Sequence, residues 1–422
     1  MSGEPNSASI VSGVATPATW RTPTLVLGFG CLIALIAFGP RATLGFFLTP
    51  LSASNHWGRD VFAFALAIQN LLWGVGQPVA GMIADRFGAP RVLSAGALMY
   101  ALGLVLMSKA TSAPMLDLSA GVLIGFGLAG SSFMVVLAAF GKLLPPEWRS
   151  FSFGAGTAAG SFGQFLYSPV AVLLIGQFGW QQALVTFAVS LLAVLPLSLA
   201  LMAPKAAAAR QTQAAPIASQ SLSQALSEAF SQRSYVLLVL GFFTCGFQLA
   251  FITVHLPAYL VDRGLSASVG GWTIGVIGLF NIVGSITSGW LGGRMPKRYL
   301  LSFIYFVRAA AILGFIWFPI TPFTCLVFGA IMGLMWLSTV PPTNGIITVL
   351  FGTQWLATLS GLAFFSHQVG GFLGVWLGGI VYDRTGSYNA VWWLAILFGV
   401  LSGLINLPIV EKPVPRAAAL PA

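Results

Sequence analysis

The chain has 422 residues, of which 57% are hydrophobic and only 7% charged, whereas an average globular domain carries about a quarter charged residues. So little charge cannot clothe a water-facing surface, which excludes the ordinary soluble classes. The formal charge of +10 is therefore assigned to loop lysines and arginines that fix membrane orientation, not to a nucleic-acid partner.

Taken in order, residues 1–21 form a polar, Ser/Ala-rich stretch without the basic flank and short apolar core of a cleaved signal peptide, and are expected to be a disordered cytoplasmic tail. Apolar runs long enough to cross a hydrocarbon core of ~30 Å as helices are predicted at 23–49, 60–83, 91–109, 116–143, 150–176 and 180–203, then at 234–261, 267–291, 299–318, 322–350, 356–381 and 389–409. The fold class expected is an all-α membrane protein, twelve transmembrane helices in two six-helix bundles spanning 22–204 and 234–410. Residues 205–233, rich in Ala, Gln and Ser, read as a cytoplasmic linker in which Ser221–Phe230 forms a surface helix, and 411–422 as a cytoplasmic tail.

With both ends inside, the cytoplasmic side collects Arg21, Arg86, Arg91, Lys142, Arg149, Lys205, Arg210, Arg233, Arg294, Lys297, Arg298, Lys412 and Arg416, and the other side Arg59, Lys109, Arg263 and Arg384. Thirteen against four satisfies the positive-inside rule, and the inner membrane follows as the expected location. Cys31, Cys245 and Cys325 lie in apolar runs without ligand spacing, so no disulfide framework, metal or cofactor is expected. No nucleotide loop or hydrolytic motif is present, so the expectation is gradient-driven movement of a solute, not catalysis.

The halves echo each other. Gly81-x-x-x-Asp85-Arg86-x-Gly88-x-x-Arg91 closes the second span, and Gly289-x-x-x-Gly293-Arg294 closes the eighth, each with Gly five residues before Arg. Gly163 in the fifth span pairs with Gly370 in the eleventh. On these residues the chain resembles the major facilitator superfamily over essentially its whole length. Phe38-Gly-Pro-Arg41, Trp57-Gly58-Arg59, Gln69-Asn70-Leu-Leu-Trp73-Gly74 and Ser366-His367-Gln368-Val-Gly370 resemble the bacterial branch near the monocarboxylate and oxalate/formate porters. The eighth span, Phe280–Thr287, lacks the Asp and Arg that monocarboxylate porters carry there. The resemblance thus implies a monomeric transporter with a central site between the bundles, and a related organic anion as solute. It further implies that Asp85, Arg86 and Arg91, with Arg294 in the second copy, latch the bundles at their cytoplasmic ends.

An inventory of charge sharpens this. Every Asp and Glu falls in a tail, a loop or the last turn of a span, whereas Arg41 and Arg308 fall near span midpoints. A charge at that depth costs roughly 3 kcal/mol or more and normally faces a cavity or partner. An anionic substrate is the natural counter-ion. Arg41 follows Gly39-Pro40, which should break the backbone hydrogen-bond pattern, so its alternatives are a substrate carboxylate, carbonyls freed at the break, or snorkelling to the periplasmic interface. Arg308 either meets the ligand or bonds carbonyls or Asn281. His367, able to change charge near neutrality, and Gln368 sit mid-span in the eleventh helix as candidate ligand or proton groups. Gln69, Trp73 and Gln77 are expected to share one face of the second helix, with Asn70 beside it. Asn344 after Pro341-Pro342, Gln248 and Tyr167 complete the candidates. A drug or metabolite exporter of the same fold is the alternative. It fits less well because cation exporters need a membrane-embedded acid.

Overall fold

The computed structural model describes residues 22–145, 148–202, 221–352 and 355–414, and among them every regular element is helical. The predicted tail 1–21 and most of the predicted linker lie outside the described residues.

Helix α1 (Pro23–Thr43) starts on Thr22, whose side chain accepts from Leu25 N, and runs straight through Pro40. The expected interruption at Gly39-Pro40 occurs one turn later. There Thr43 Oγ1 donates to Pro40 O at 2.7 Å and the chain tightens into a 3-10 turn, Leu44–Phe47, before α2 (Leu48–Asn55). Next come α3 (Arg59–Phe87) and α4 (Ala89–Met107). The fourth crossing is assembled from α5 (Ala113–Leu116), a π-helical stretch Asp117–Leu123, α6 (Ile124–Ser131) and α7 (Phe133–Leu143), parted at Ser132 with φ −63° and ψ 150°. Helix α8 (Arg149–Leu192) folds back at Gly179, whose φ of +82° only glycine adopts freely. A short α9 (Val194–Ser198) and a 3-10 turn Leu199–Leu201 end the first half.

The second half opens on the surface helix α10 (Leu222–Ser231), closed by a reciprocal Ser221/Gln224 capping box, where the sequence predicted it. Then follow α11 (Arg233–Asp262), α12 (Ala267–Gly292), α13 (Lys297–Trp317), α14 (Pro322–Met335), α15 (Val340–Phe351), α16 (Leu356–Thr385) and α17 (Asn389–Asn406). Among the described residues ten segments are long and apolar enough to cross a membrane. Helix α3, 29 residues long, carries Gln69, Asn70 and Gln77 among its apolar residues, and Gly179 divides α8. Counting α3 and both parts of α8 is consistent with the twelve crossings predicted.

Small residues set the packing, as expected where helices associate without a hydrophobic driving force. A β-carbon on Gly163 would run into Leu35 O, and one on Gly370 into Phe243 O. The echo of those two glycines thus reflects one job done twice, letting α8 close on α1 and α16 close on α11.

Between the halves the contacts follow stripes. Along α3, Asp60 and Ala63 meet Gly379, Asn70 meets Gly371, Gly74 meets Gln368, and Pro78 comes near Gly361 on α16. Along α8, Val172 meets Gly271, Phe165 meets Gly275 and Ser161 meets Gly278 on α12, and Asn281 Nδ2 donates to Ser161 Oγ at 2.8 Å. Continued one turn further at helical spacing, the stripes part. Gly81, Gly154 and Gly292 face open space, and Met82 and Phe151 are 64% and 65% exposed. Among the described residues the halves meet at the Arg59 end and part at the end that carries Arg86.

Candidate substrate site

The α3 stripe passes through the midpoint of the molecule, where α1 delivers Arg41. Arg41 Nη2 donates to Asn70 Oδ1 at 2.9 Å, and Asn70 Nδ2 donates back to Leu66 O at 2.8 Å. The guanidinium carbon lies 4.9 Å from the centre of the Trp73 ring, a cation–π distance, and Trp73 Nε1 donates to Gln77 Oε1 at 3.0 Å. No carboxylate pairs with Arg41 among the described residues, and its buried Nε has no hydrogen-bond partner. One half thus presents a charged group whose described partners are an amide and the rings of Trp73 and Phe38.

The other half meets it at the same level. Phe364 packs edge-on to Trp73 at 5.5 Å, and His367 stacks on Phe364 at 5.6 Å with 11° between planes. His367 Nδ1 lies 3.0 Å from Gln368 Oε1. Gln368 is 1% exposed, and its buried Nε2 has no partner. Arg41, Asn70, Gln77, His367 and Gln368 are therefore brought together across the interface.

The remaining candidates are placed elsewhere. Gln69 does not share the face of Gln77: its Nε2 donates to Ala120 O at 2.8 Å inside the first half. At about 100° per residue, Asn70 and Gln77 nearly eclipse while Gln69 points away, so the working stripe is Asn70, Trp73, Gln77. Tyr167 donates to Ser190 Oγ at 3.1 Å, and its ring fills the space left by Gly39. Gln248, fully buried, donates to Ala395 O at 2.8 Å. Asn344, half-buried, gives its carbonyl to Thr348 Oγ1.

Arg308 contacts backbone carbonyls, while its buried Nη1 has no hydrogen-bond partner among the described residues. It is fully buried, and it donates to the carbonyls of Met335 and Trp336, which α14 leaves open where the tenth crossing breaks before α15. Leu337 N in the same break donates to Asn281 Oδ1 at 2.9 Å, Ser288 Oγ donates to Ser338 O, and Cys245 Sγ lies 3.4 Å from Thr339 Oγ1. Three helices, α11, α12 and α13, thus hold one unwound turn. Its counterpart in the first half is the extended Ser132 in the fourth crossing.

At the Arg86 end the arginines of the expected latch contact aromatic rings and a backbone carbonyl. Arg86 lies over the Phe87 ring at 5.3 Å, Arg91 Nη1 donates to Phe87 O at 3.1 Å, and Arg294 lies over the Trp290 ring at 3.9 Å. Each is a contact within its own half. The Asp85 side chain lies outside the described residues.

A network that sequence reasoning missed closes the opposite end. Arg59 donates from both terminal nitrogens to Asp262, and from Nη1 to Tyr388 Oη at 2.8 Å, with Tyr382 3.8 Å from its guanidinium carbon. Asp383 accepts from the backbone N of Arg59 at 3.0 Å and of Asp60 at 2.7 Å, capping α3 from the other half. Tyr388 in turn reaches His255 Nδ1 at 3.2 Å, and His255 Nε2 lies 2.8 Å from Val375 O. The available signal was that Arg59, Asp262 and Asp383 all fall at span ends on one predicted side.

The model of the Major Facilitator Superfamily matches residues 30–375. The chain belongs to the major facilitator superfamily. As a superfamily member it is a multi-pass membrane protein of the transporter class. It is 26% identical to the uncharacterized MFS-type transporter YcxA of Bacillus subtilis (strain 168), over 93% of this chain and 96% of that one. It is 27% identical to monocarboxylate transporter 13 of Rattus norvegicus, over 90% and 89%. The crystal structure of a D-xylose-proton symporter superposes with a TM-score of 0.73 at 15% identity, covering 92% of this chain and 97% of that one, which shows the shared superfamily fold.

Proposed function

We propose that this superfamily member is a secondary transporter of a small organic anion, a carboxylate foremost, working by alternating access as the bundles 22–204 and 234–410 rock about the Arg41 site. The observation that carries the reading is Arg41 itself. It is a mid-membrane guanidinium whose described partners are neutral and whose Nε is buried and unpaired. A carboxylate is the ligand that completes it, because the planar fork accepts one bidentately. The named monocarboxylate transporters among its relatives support the same solute class. His367, stacked beside the site, is the group we assign to proton coupling; exchange against a counter-anion is the other mode the site admits. We place the protein in the bacterial inner membrane as a monomer with both termini cytoplasmic, on the positive-inside count, so that this conformation opens inward.

Melting of the purified protein against paired carboxylates and their neutral amides tests the reading. A bound ligand stabilises by RT ln(1 + [L]/Kd). At least one acid is expected to raise the midpoint where its amide does not. Stabilisation by amides and acids alike would sink it.

A further inference from the structure

A basin unrelated to the substrate site opens at the linker end of the second half, where α12, α13 and the segment after α17 converge. It encloses about 520 Å³ and is lined by Arg294, Lys297, Arg298, Glu411 and Lys412 among others. Glu411 is spent locally: its Oε1 accepts from Arg298 N at 2.8 Å, and its Oε2 lies 3.8 Å from Lys297 Nζ. Arg298 donates from Nη1 to Ile409 O at 3.0 Å and from Nη2 to Tyr299 Oη at 3.0 Å, both neutral partners. Arg294 rests on the Trp290 ring. Among the described residues, four cations against one carboxylate leave the basin with a surplus of three positive charges. Val410 in its lining is 50% exposed, and Trp290 and Tyr299, against which Arg294 and Arg298 rest, are 56% and 45% exposed. In a membrane protein, exposed Trp and Tyr beside basic residues mark the level of the lipid headgroups. The basin thus offers positive charge to whatever occupies that level, with apolar residues beside it that suit acyl chains.

We propose that this basin binds the phosphodiester headgroup of an anionic phospholipid. Basic pockets between helices at the headgroup level hold such groups by charge and hydrogen bonds, and the three uncompensated cations exceed what one phosphodiester neutralises. Native mass spectrometry of the full chain, from vesicles of phosphatidylcholine with and without phosphatidylglycerol, tests it. The wild type is expected to retain phosphatidylglycerol through detergent exchange and to melt higher in its presence. Arg294→Ala with Lys412→Ala is expected to weaken retention roughly twenty-five-fold, about a factor of five for each basic residue near the surface, with unchanged melting in phosphatidylcholine alone. Lys412→Gln, an exposed position past the last helix, supplies a second variant should the double one misfold, with about a fivefold loss expected. The proposal is overturned if the variants retain phosphatidylglycerol as the wild type does. It is overturned equally if Arg86→Ala with Arg91→Ala loses as much. Inorganic phosphate stabilising the wild type as well as phosphatidylglycerol does would identify a free-anion site instead.

Discussion

Arg59 and Asp262 form a two-pronged ion pair, Nη1 to Oδ2 and Nη2 to Oδ1 both at 2.7 Å, that joins the two halves at the closed end of the molecule. Its side chains are 12% and 29% exposed, so it is partly sheltered from solvent screening. Together with the Asp383 cap on α3, it makes the closed end the stable one here.

Breaking that pair should move the gate. Arg59→Gln removes a charge-assisted, two-pronged contact worth about 1–2 kcal/mol after allowance for screening, equivalent to about 5–30-fold in the conformational equilibrium. Distance measurements between spin labels on the two halves should show the Arg59 end opening in a larger fraction of molecules. Asp262→Asn should give a similar shift and add little in the double variant, since both remove one interaction. Additive shifts would mean that the two residues act separately.

The substrate reading makes a charge-specific prediction at Arg41. Arg41→Gln should weaken carboxylate binding about ten- to a hundredfold, the loss of roughly 1.5–3 kcal/mol of charge-assisted hydrogen bonding. Arg41→Lys should recover part of it, because an ammonium keeps the charge and loses the fork. Uptake of an acid and its neutral isostere decides the matter: equal losses for both would return Arg41 to a structural role.

Arg308 should behave differently. Arg308→Met leaves the Met335 and Trp336 carbonyls of the broken tenth crossing without donors, at about 1–3 kcal/mol for each buried group. The expected result is a lower melting midpoint, with the ratio of acid to neutral uptake unchanged among the molecules that fold. A changed ratio at unchanged stability would instead make it a substrate ligand.

Gly163→Ala and Gly370→Ala should each destabilise by about 1–3 kcal/mol, the usual range for overpacking. In both cases the added methyl meets backbone, Leu35 O or Phe243 O, not a movable side chain. Similar falls in thermal midpoint are expected from the two. Gly81→Ala, inside α3 with nothing within 4 Å, should not lower the midpoint, since alanine favours a helix over glycine by about 0.5–1 kcal/mol.

Sidedness can be read chemically. Ala53 and Ser227, both exposed, lie at opposite ends of the molecule. In intact cells a membrane-impermeant thiol reagent should modify Ala53→Cys and spare Ser227→Cys. The reverse pattern would invert the proposed topology.

Sequence alone determined the order and approximate limits of the apolar crossings, the surface helix after Ser221 and the isolation of Arg41 from any mid-span acid. Each follows from a local quantity: apolar length against membrane thickness, a polar stretch between apolar runs, or a charge at a depth where charges are costly. It also marked Gly163 and Gly370 as equivalent without saying what they touch. Tertiary structure decided the rest. Helical periodicity places residues on a face to within tens of degrees, too coarse to tell Gln69 from Asn70, and only the positions of α1 and the fourth crossing turned one inward to Ala120 and the other towards Arg41. Arg308 and Arg41 looked alike as mid-span cations until the break between α14 and α15 supplied carbonyls to one of them. Arg59, Asp262 and Asp383 are separated by hundreds of residues and carry charges common at span ends. Their partnership is a property of how two bundles meet, which no local pattern encodes.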